Sequence, residues 1–236
     1  VYQLQPYGRG AGQGVEVAAF ARQELQRGRR FLDRLRGTSS SRLTLAAGEG
    51  SFLYLLGPAL TDFPGELELL TLGGPDAAQA VLTGRADLAV GSWDVCPDAL
   101  VQRPLLSTPL CAAVRGSHPL AAQATVSLRD LGRHRLILAP DGQRHRALVG
   151  RAVASVGEGP SSVLTADGWP LMLSFAAMGL GVAVVNGTCH VPPGVVLRPI
   201  PELGRIAYSA LMRRDAPQSP ARSELLQRLE ALDPDA

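Results

Sequence analysis

Lysine is missing from the 236 residues: all 23 basic side chains are arginine, against 21 Asp and Glu, for a net charge of +2. Its absence removes the Schiff-base amine, the pyridoxal phosphate anchor and the phosphate-loop lysine from the available chemistry. Cysteine is scarce. Cys96, Cys111 and Cys189 form an odd set without C-x-x-C spacing, which suits a reducing compartment better than a disulfide framework. Aromatic residues make up only 5% of the chain and charged residues 19%, and so small a net charge defines no partner. The longest stretch without a formal charge, 168–197, is broken by Pro170, Gly179, Gly181, Asn186, Gly187, Pro192 and Pro193. It reads as helix, strand and loop, so no membrane partner is expected. The first thirty residues lack an apolar stretch behind a charged start, and a cytoplasmic protein is expected.

What is plentiful is apolar surface. At 46% hydrophobic the chain buries a core, which excludes disorder as a whole-chain reading. Its length fits one large domain or two small ones, at about 100–200 residues each. Residues 15–36 read as a helix in which Ala21, Leu25, Gly28, Leu32 and Leu35 recur at steps of four, three, four and three, the seam of a pairing helix. From residue 22 onward, Arg22, Arg27, Arg29, Arg30, Arg34 and Arg36 on that helix meet only Glu24 and Asp33. Such a face is either solvated or set close to DNA phosphates. Residues 37–41 have the composition of a hinge.

From Arg42 onward the grammar is strand, turn, helix, strand. Strands are expected at 43–47, 66–72 and 87–90, with helices from about 51 to 62 and from 76 to 83. The second half repeats it, with strands at 135–139, 162–165 and 182–185 and helices up to 156 and 178. These lengths mean βαβ units on parallel sheets. Residues 105–115 and 206–213 are placed to cross between two α/β lobes, and 219–232 to close the fold as a helix. Ligands of such sheets bind beyond the carboxyl ends of the strands.

Several short passages then line up. Gly84, Asp87 and Ala89 give a G-x-x-D-hydrophobic-A strand entry. Residues 109–120 are a strand closing on His118-Pro119-Leu120, and 126–131 read hydrophobic-S-L-x-D-L. Gly179-Leu180-Gly181 leads into an apolar strand. In this order and spacing over 43–232, the chain resembles the effector-binding region of LysR-type transcriptional regulators. Residues 2–9 resemble the end of that family's winged helix-turn-helix, with Gln5 and Tyr7 as departures.

The resemblance implies an α/β fold of two Rossmann-like lobes joined by two crossing strands, type 2 periplasmic-binding-protein-like, preceded by a linker helix. It divides the chain into a wing remnant and linker helix (1–36), a first lobe (42–107 with 207–236) and a second lobe (108–206). It implies a small-molecule effector between the lobes, self-association as a homodimer or homotetramer, and promoter DNA bound through a winged helix-turn-helix that these residues do not contain. In the family, the helix after the first strand packs beside the 169–178 helix of a second subunit. Phe52, Leu53, Leu56 and Leu60 would supply one face, and Leu171, Met172 and Phe175 the other.

The matching ligand-binding loops carry Glu49, Gly50, Ser51 and Phe52; Pro75 and Asp76; Ser92 and Trp93; Asp141 and Gly142; Asp167 and Trp169; and Asn186. Ser51 and Asp76 open helices whose free N–H groups favour an anion, though both residues also serve as plain caps. Glu49, Asp76, Asp141 and Asp167 meet few arginines, chiefly Arg144. If two or more of these carboxylates point inward, a cationic ligand is favoured, with Trp93 and Trp169 available to stack on it.

Catalysis finds little support. Gly48-Glu49-Gly50-Ser51 is not G-x-S-x-G. His118, His134, His145 and His190 lack metal spacing, and no acid/base constellation fits a dehydratase acting on aromatic acids. No basic residue flanks Cys96 to make it a redox sensor. Neither cofactor nor metal is expected. A solute-binding protein of a transport system shares the architecture, but the pairing helix at 15–36 argues against it.

Overall fold

A computed structural model of the chain describes residues 21, 25, 28, 42–157, 159 and 162–232. Ala21, Leu25 and Gly28, three positions of the expected seam, are helical, and Leu25 is exposed. The rest of the linker helix and the wing remnant lie outside the described residues.

Two lobes follow. In the first, β1 (Leu43–Ala47) pairs in parallel with β2 (Leu67–Thr71) and β3 (Leu88–Gly91). Between them run α1 (Glu49–Tyr54), α2 (Gly57–Leu60) and α3 (Gly74–Leu82). The strand β4 (Leu100–Arg115) then leaves for the second lobe, where α4 (Leu128–Gly132), β5 (Arg135–Leu138), α5 (Arg144–Ser155), β6 (Ser162–Thr165), α6 (Trp169–Ala177), β7 (Val182–Asn186) and β8 (Val195–Pro199) repeat the pattern. The chain returns on β9 (Arg205–Arg213) and ends on α7 (Pro220–Glu230).

The two sheets share one strand. β4 is 16 residues long, about 50 Å at the usual rise, and its halves belong to different sheets. Residues from Leu100 to Pro109 pair antiparallel with β9, and those from Leu110 onward pair with β7 and β8. The strand order is β2-β1-β3-β9-β4-β7-β5-β6, with β8 also on β4. The register shifts between Pro104 and Leu106, where proline has no N–H to give the ladder.

Period-two alternation distributes the core over both faces of each sheet. On β1, Leu43, Leu45 and Ala47 face α1, α2 and α7, while Ala46 faces α3. On β7, Val182 and Val184 face α4 and α5, while Ala183 and Val185 face α6. On these two strands every apolar residue therefore finds a helix, which is why they read as nearly continuous apolar runs.

Three expectations need correction. The helix expected from 51 to 62 is broken into α1 and α2. Pro58 has no N–H for the Tyr54 carbonyl, and its ring would clash with that turn. The crossing strand starts at Leu100 rather than 105. β8, whose Val195-Val196-Leu197 lies between prolines, was not anticipated. Gly181 explains the glycine pair before β7: a Cβ there would stand 2.6 Å from the Arg135 carbonyl oxygen, so only glycine lets β7 enter beside β5.

Candidate functional site

The carboxyl ends of β1 and β3 in the first lobe face the loops before α5 and α6 in the second, and side chains already meet across this junction. The β1–α1 turn brings Gly50 beneath the Trp169 indole, so closely that a Cβ on Gly50 would lie 2.2 Å from Trp169 Cε3. Glu49 in the same turn places a carboxylate oxygen against Gly168 of the other lobe. Trp169 packs against the cores of both lobes. Tyr54 on α1 stacks on it at 6.5 Å between ring centroids and meets the His190 ring edge-on at 6.0 Å. Aromatic faces thus seal one side of the junction.

Its floor is polar and buried. Ser51 is 7% exposed and Asn186, at the end of β7, is 2% exposed. Asn186 Nδ2 donates to the Tyr208 hydroxyl at 2.6 Å. Burial pushes the Tyr208 phenol up to about 12, opposed by the Asn186 and Ser51 side chains and by the positive charge of Arg144. Tyr208 is therefore a neutral donor and acceptor at neutral pH. One residue from each of α1, β9 and β7 makes this floor.

The other side is ionic. Arg144, the first residue of α5, reaches across to the loop after β3, where its Nη1 donates to Ser92 Oγ at 2.6 Å and its Nε to Asp94 Oδ2 at 3.0 Å.

Of the residues expected at the site, Gly50, Ser51, Ser92, Trp169 and Asn186 converge here, with Glu49 at the edge. Phe52 packs on the core of the first lobe. Pro75 and Asp76 are exposed at the start of α3. Trp93 turns back onto its own lobe, with its Nε1 donating to the Gly74 carbonyl at 2.9 Å. Asp141 pairs with Arg146 at 3.2 Å beside exposed Gly142, and Asp167 accepts from Gln143 Nε2 at 3.0 Å. Two of the four carboxylates are thus occupied within the second lobe, and Trp93 is not positioned to stack opposite Trp169.

Tyr208, Tyr54 and Asp94 were not anticipated. Tyr208 carried a signal: a hydroxyl-tipped ring in an otherwise aliphatic crossing strand needs a buried partner. Burial raises the Cys111 thiol to about 11 and that of Cys189 to about 12, the opposite of a reactive thiolate. Among the described residues, no group of three His, Cys, Asp or Glu is placed to hold a metal. Among them, too, no helix is long and apolar enough to cross a membrane.

Residues 36–233 match the family model described as the LysR substrate binding domain. The HTH-type transcriptional regulator CysB of Burkholderia cenocepacia is 30% identical over 149 residues, covering 61% of this chain and 48% of CysB. The HTH-type transcriptional activator IlvY of Salmonella typhimurium is 30% identical over 213 residues, covering 86% of this chain and 70% of IlvY. The solved BenM effector binding domain with its effector benzoate superposes with a TM-score of 0.68 at 21% identity, covering 80% of this chain and 90% of that one. This last likeness speaks for the fold alone. The chain spans about half the length of the first curated relatives it matches, 48% and 43%.

Proposed function

We propose, because this chain belongs to the LysR substrate-binding domain family, that it is the effector-sensing and self-assembling part of a transcriptional regulator. A small organic molecule binds between the lobes and alters how they sit against each other. The regulator's winged helix-turn-helix carries that change to promoter DNA. The carrying observation is the buried Ser51–Tyr208–Asn186 floor, built from both lobes where they meet. Three polar side chains converge at a junction otherwise closed by aromatics, an arrangement suited to orienting a small ligand.

Assembly follows from what the helices leave uncovered. Leu56 and Met172, expected on the pairing faces, are fully buried in their own lobes. Leu53 on α1 and Leu171 on α6 remain exposed, with Met178 just beyond. These residues support a two-fold pairing of α1 with a second subunit's α6.

A thermal-shift screen of small metabolites tests the sensing role. A ligand at a hundred times its Kd stabilises the folded state by about 2.7 kcal/mol. The expected hit raises Tm in the wild type and raises it less in Ser51→Ala, which lacks the floor hydroxyl. A hit indifferent to Ser51→Ala places the site elsewhere.

A further inference from the structure

Resting on that sensing role, we infer that Arg144 is the anchor for an acidic group of the effector, and that Asp94 is a built-in competitor for the same guanidinium. The geometry is that of carboxylate recognition. Arg144 presents Nε and Nη2 side by side to the two oxygens of Asp94, and Nη1 to Ser92. A guanidinium fork makes this two-pronged contact with any carboxylate. Arg144 belongs to the second lobe and its partners to the first, so the contact spans the mouth of the junction. Its charge also acts on the Tyr208 hydroxyl, which relates the mouth to the polar floor.

The pair is easily exchanged. The Arg144 side chain is 43% exposed and that of Asp94 71%, so water and salt already weaken it. When a ligand acid takes Asp94's place, one ion pair replaces another and the charge balance of Arg144 is unchanged. Asp94 then turns to solvent, where it is already mostly exposed. Other carboxylates at the rim do not contest the guanidinium: Asp141 holds Arg146, Asp167 accepts from Gln143, and Glu49 lies against Gly168. Gln143 is uncharged and does not neutralise Asp167, so an acid is favoured by the two-pronged fit of Arg144 and not by the net charge of the rim. Binding through Arg144 also breaks a lobe-to-lobe ion pair, which gives the ligand's charge a direct effect on how the lobes are held.

The consequence is a pair of substitutions with opposite signs. Asp94→Asn removes the competitor and Arg144→Gln removes the anchor; both sites are exposed, and unchanged melting curves will show that both variants fold. Calorimetric titration with sodium acetate, succinate and benzoate, each against its primary amide at matched ionic strength, reads the outcome. At least one acid is expected to bind the wild type, and none of the amides. Asp94→Asn should tighten that acid about fivefold, the factor by which a weak surface pair sequesters its arginine. Arg144→Gln should weaken it roughly tenfold or more. Equal binding of acid and amide, weakening by Asp94→Asn, indifference to Arg144→Gln, or no binding of any acid overturns the inference. A neutral or cationic ligand that is sensitive to Ser51→Ala and indifferent to Arg144→Gln also overturns it, and leaves the sensing role standing.

Discussion

His145 makes the stability of the second lobe depend on pH. It follows Arg144 in the first turn of α5, and both its ring nitrogens are buried without a hydrogen-bond partner. Burial lowers its pKa from 6.5 to about 4, opposed only by the nearby Val184 carbonyl, which does not complete a hydrogen bond. The sign follows from which state takes the proton first. The unfolded chain protonates near 6.5, while the folded protein resists until about 4. Full stability is therefore present above pH 6.5 and is lost as the pH falls towards 4. Each pKa unit is worth about 1.36 kcal/mol, so the whole window costs about 3 kcal/mol. Urea unfolding at pH 7.5 and pH 4.5 measures it, and His145→Leu supplies the control because leucine has no proton to gain. The wild type should lose about 2–3 kcal/mol more than the variant between those two pH values. Parallel losses would show that His145 is hydrated or hydrogen-bonded in the native protein and refute the reasoning.

Other tests address packing and assembly. Gly181→Ala forces a Cβ to within 2.6 Å of the Arg135 carbonyl oxygen, and overpacking of this kind costs about 1–3 kcal/mol, seen as a lower urea midpoint. In a Trp93→Phe background, Gly50→Ala should push the Trp169 indole off the α1 turn and red-shift its emission; unchanged emission means the lobes do not meet there. Replacing exposed Leu171 with arginine should reduce a sedimenting dimer to the 24.8 kDa monomer with its far-ultraviolet circular dichroism unchanged, and a monomeric wild type would remove the pairing proposal.

The fold was legible wherever its causes were local. Gly73 to Asp76 open α3 because Pro75 is tolerated in a first helical turn and Asp76 suits it. Strand β7 announced itself as an apolar run between glycine-rich and proline-rich loops, because both its faces are covered by helices. The misses also have local causes. Leu53 to Leu60 looked like one helix because leucine and alanine favour it, while a single missing N–H at Pro58 outweighed that preference. β8 is a short apolar run whose strand character comes from pairing with β4 from Cys111 to Arg115, a partner some 80 residues away.

The site was legible only in part, for a related reason. Ser51 and Trp169 sit at strand-to-helix turns, which the chain marks with glycine and small residues. The contacts that shape the junction connect residues far apart: Arg144 with Asp94, Asn186 with Tyr208, and Gly50 with Trp169. Counting carboxylates along the sequence suggested a cleft suited to a cation. That count treats each charge as free, whereas folding gives Asp141 to Arg146 and Asp167 to Gln143. Only Asp141 is neutralised in this way, since Gln143 is uncharged, and recognition turns instead on a single guanidinium, held across the junction by a carboxylate that a ligand acid can replace. Net charge along a loop is thus a poor guide to ligand charge. What decides is which charges remain exchangeable after their neighbours have been satisfied.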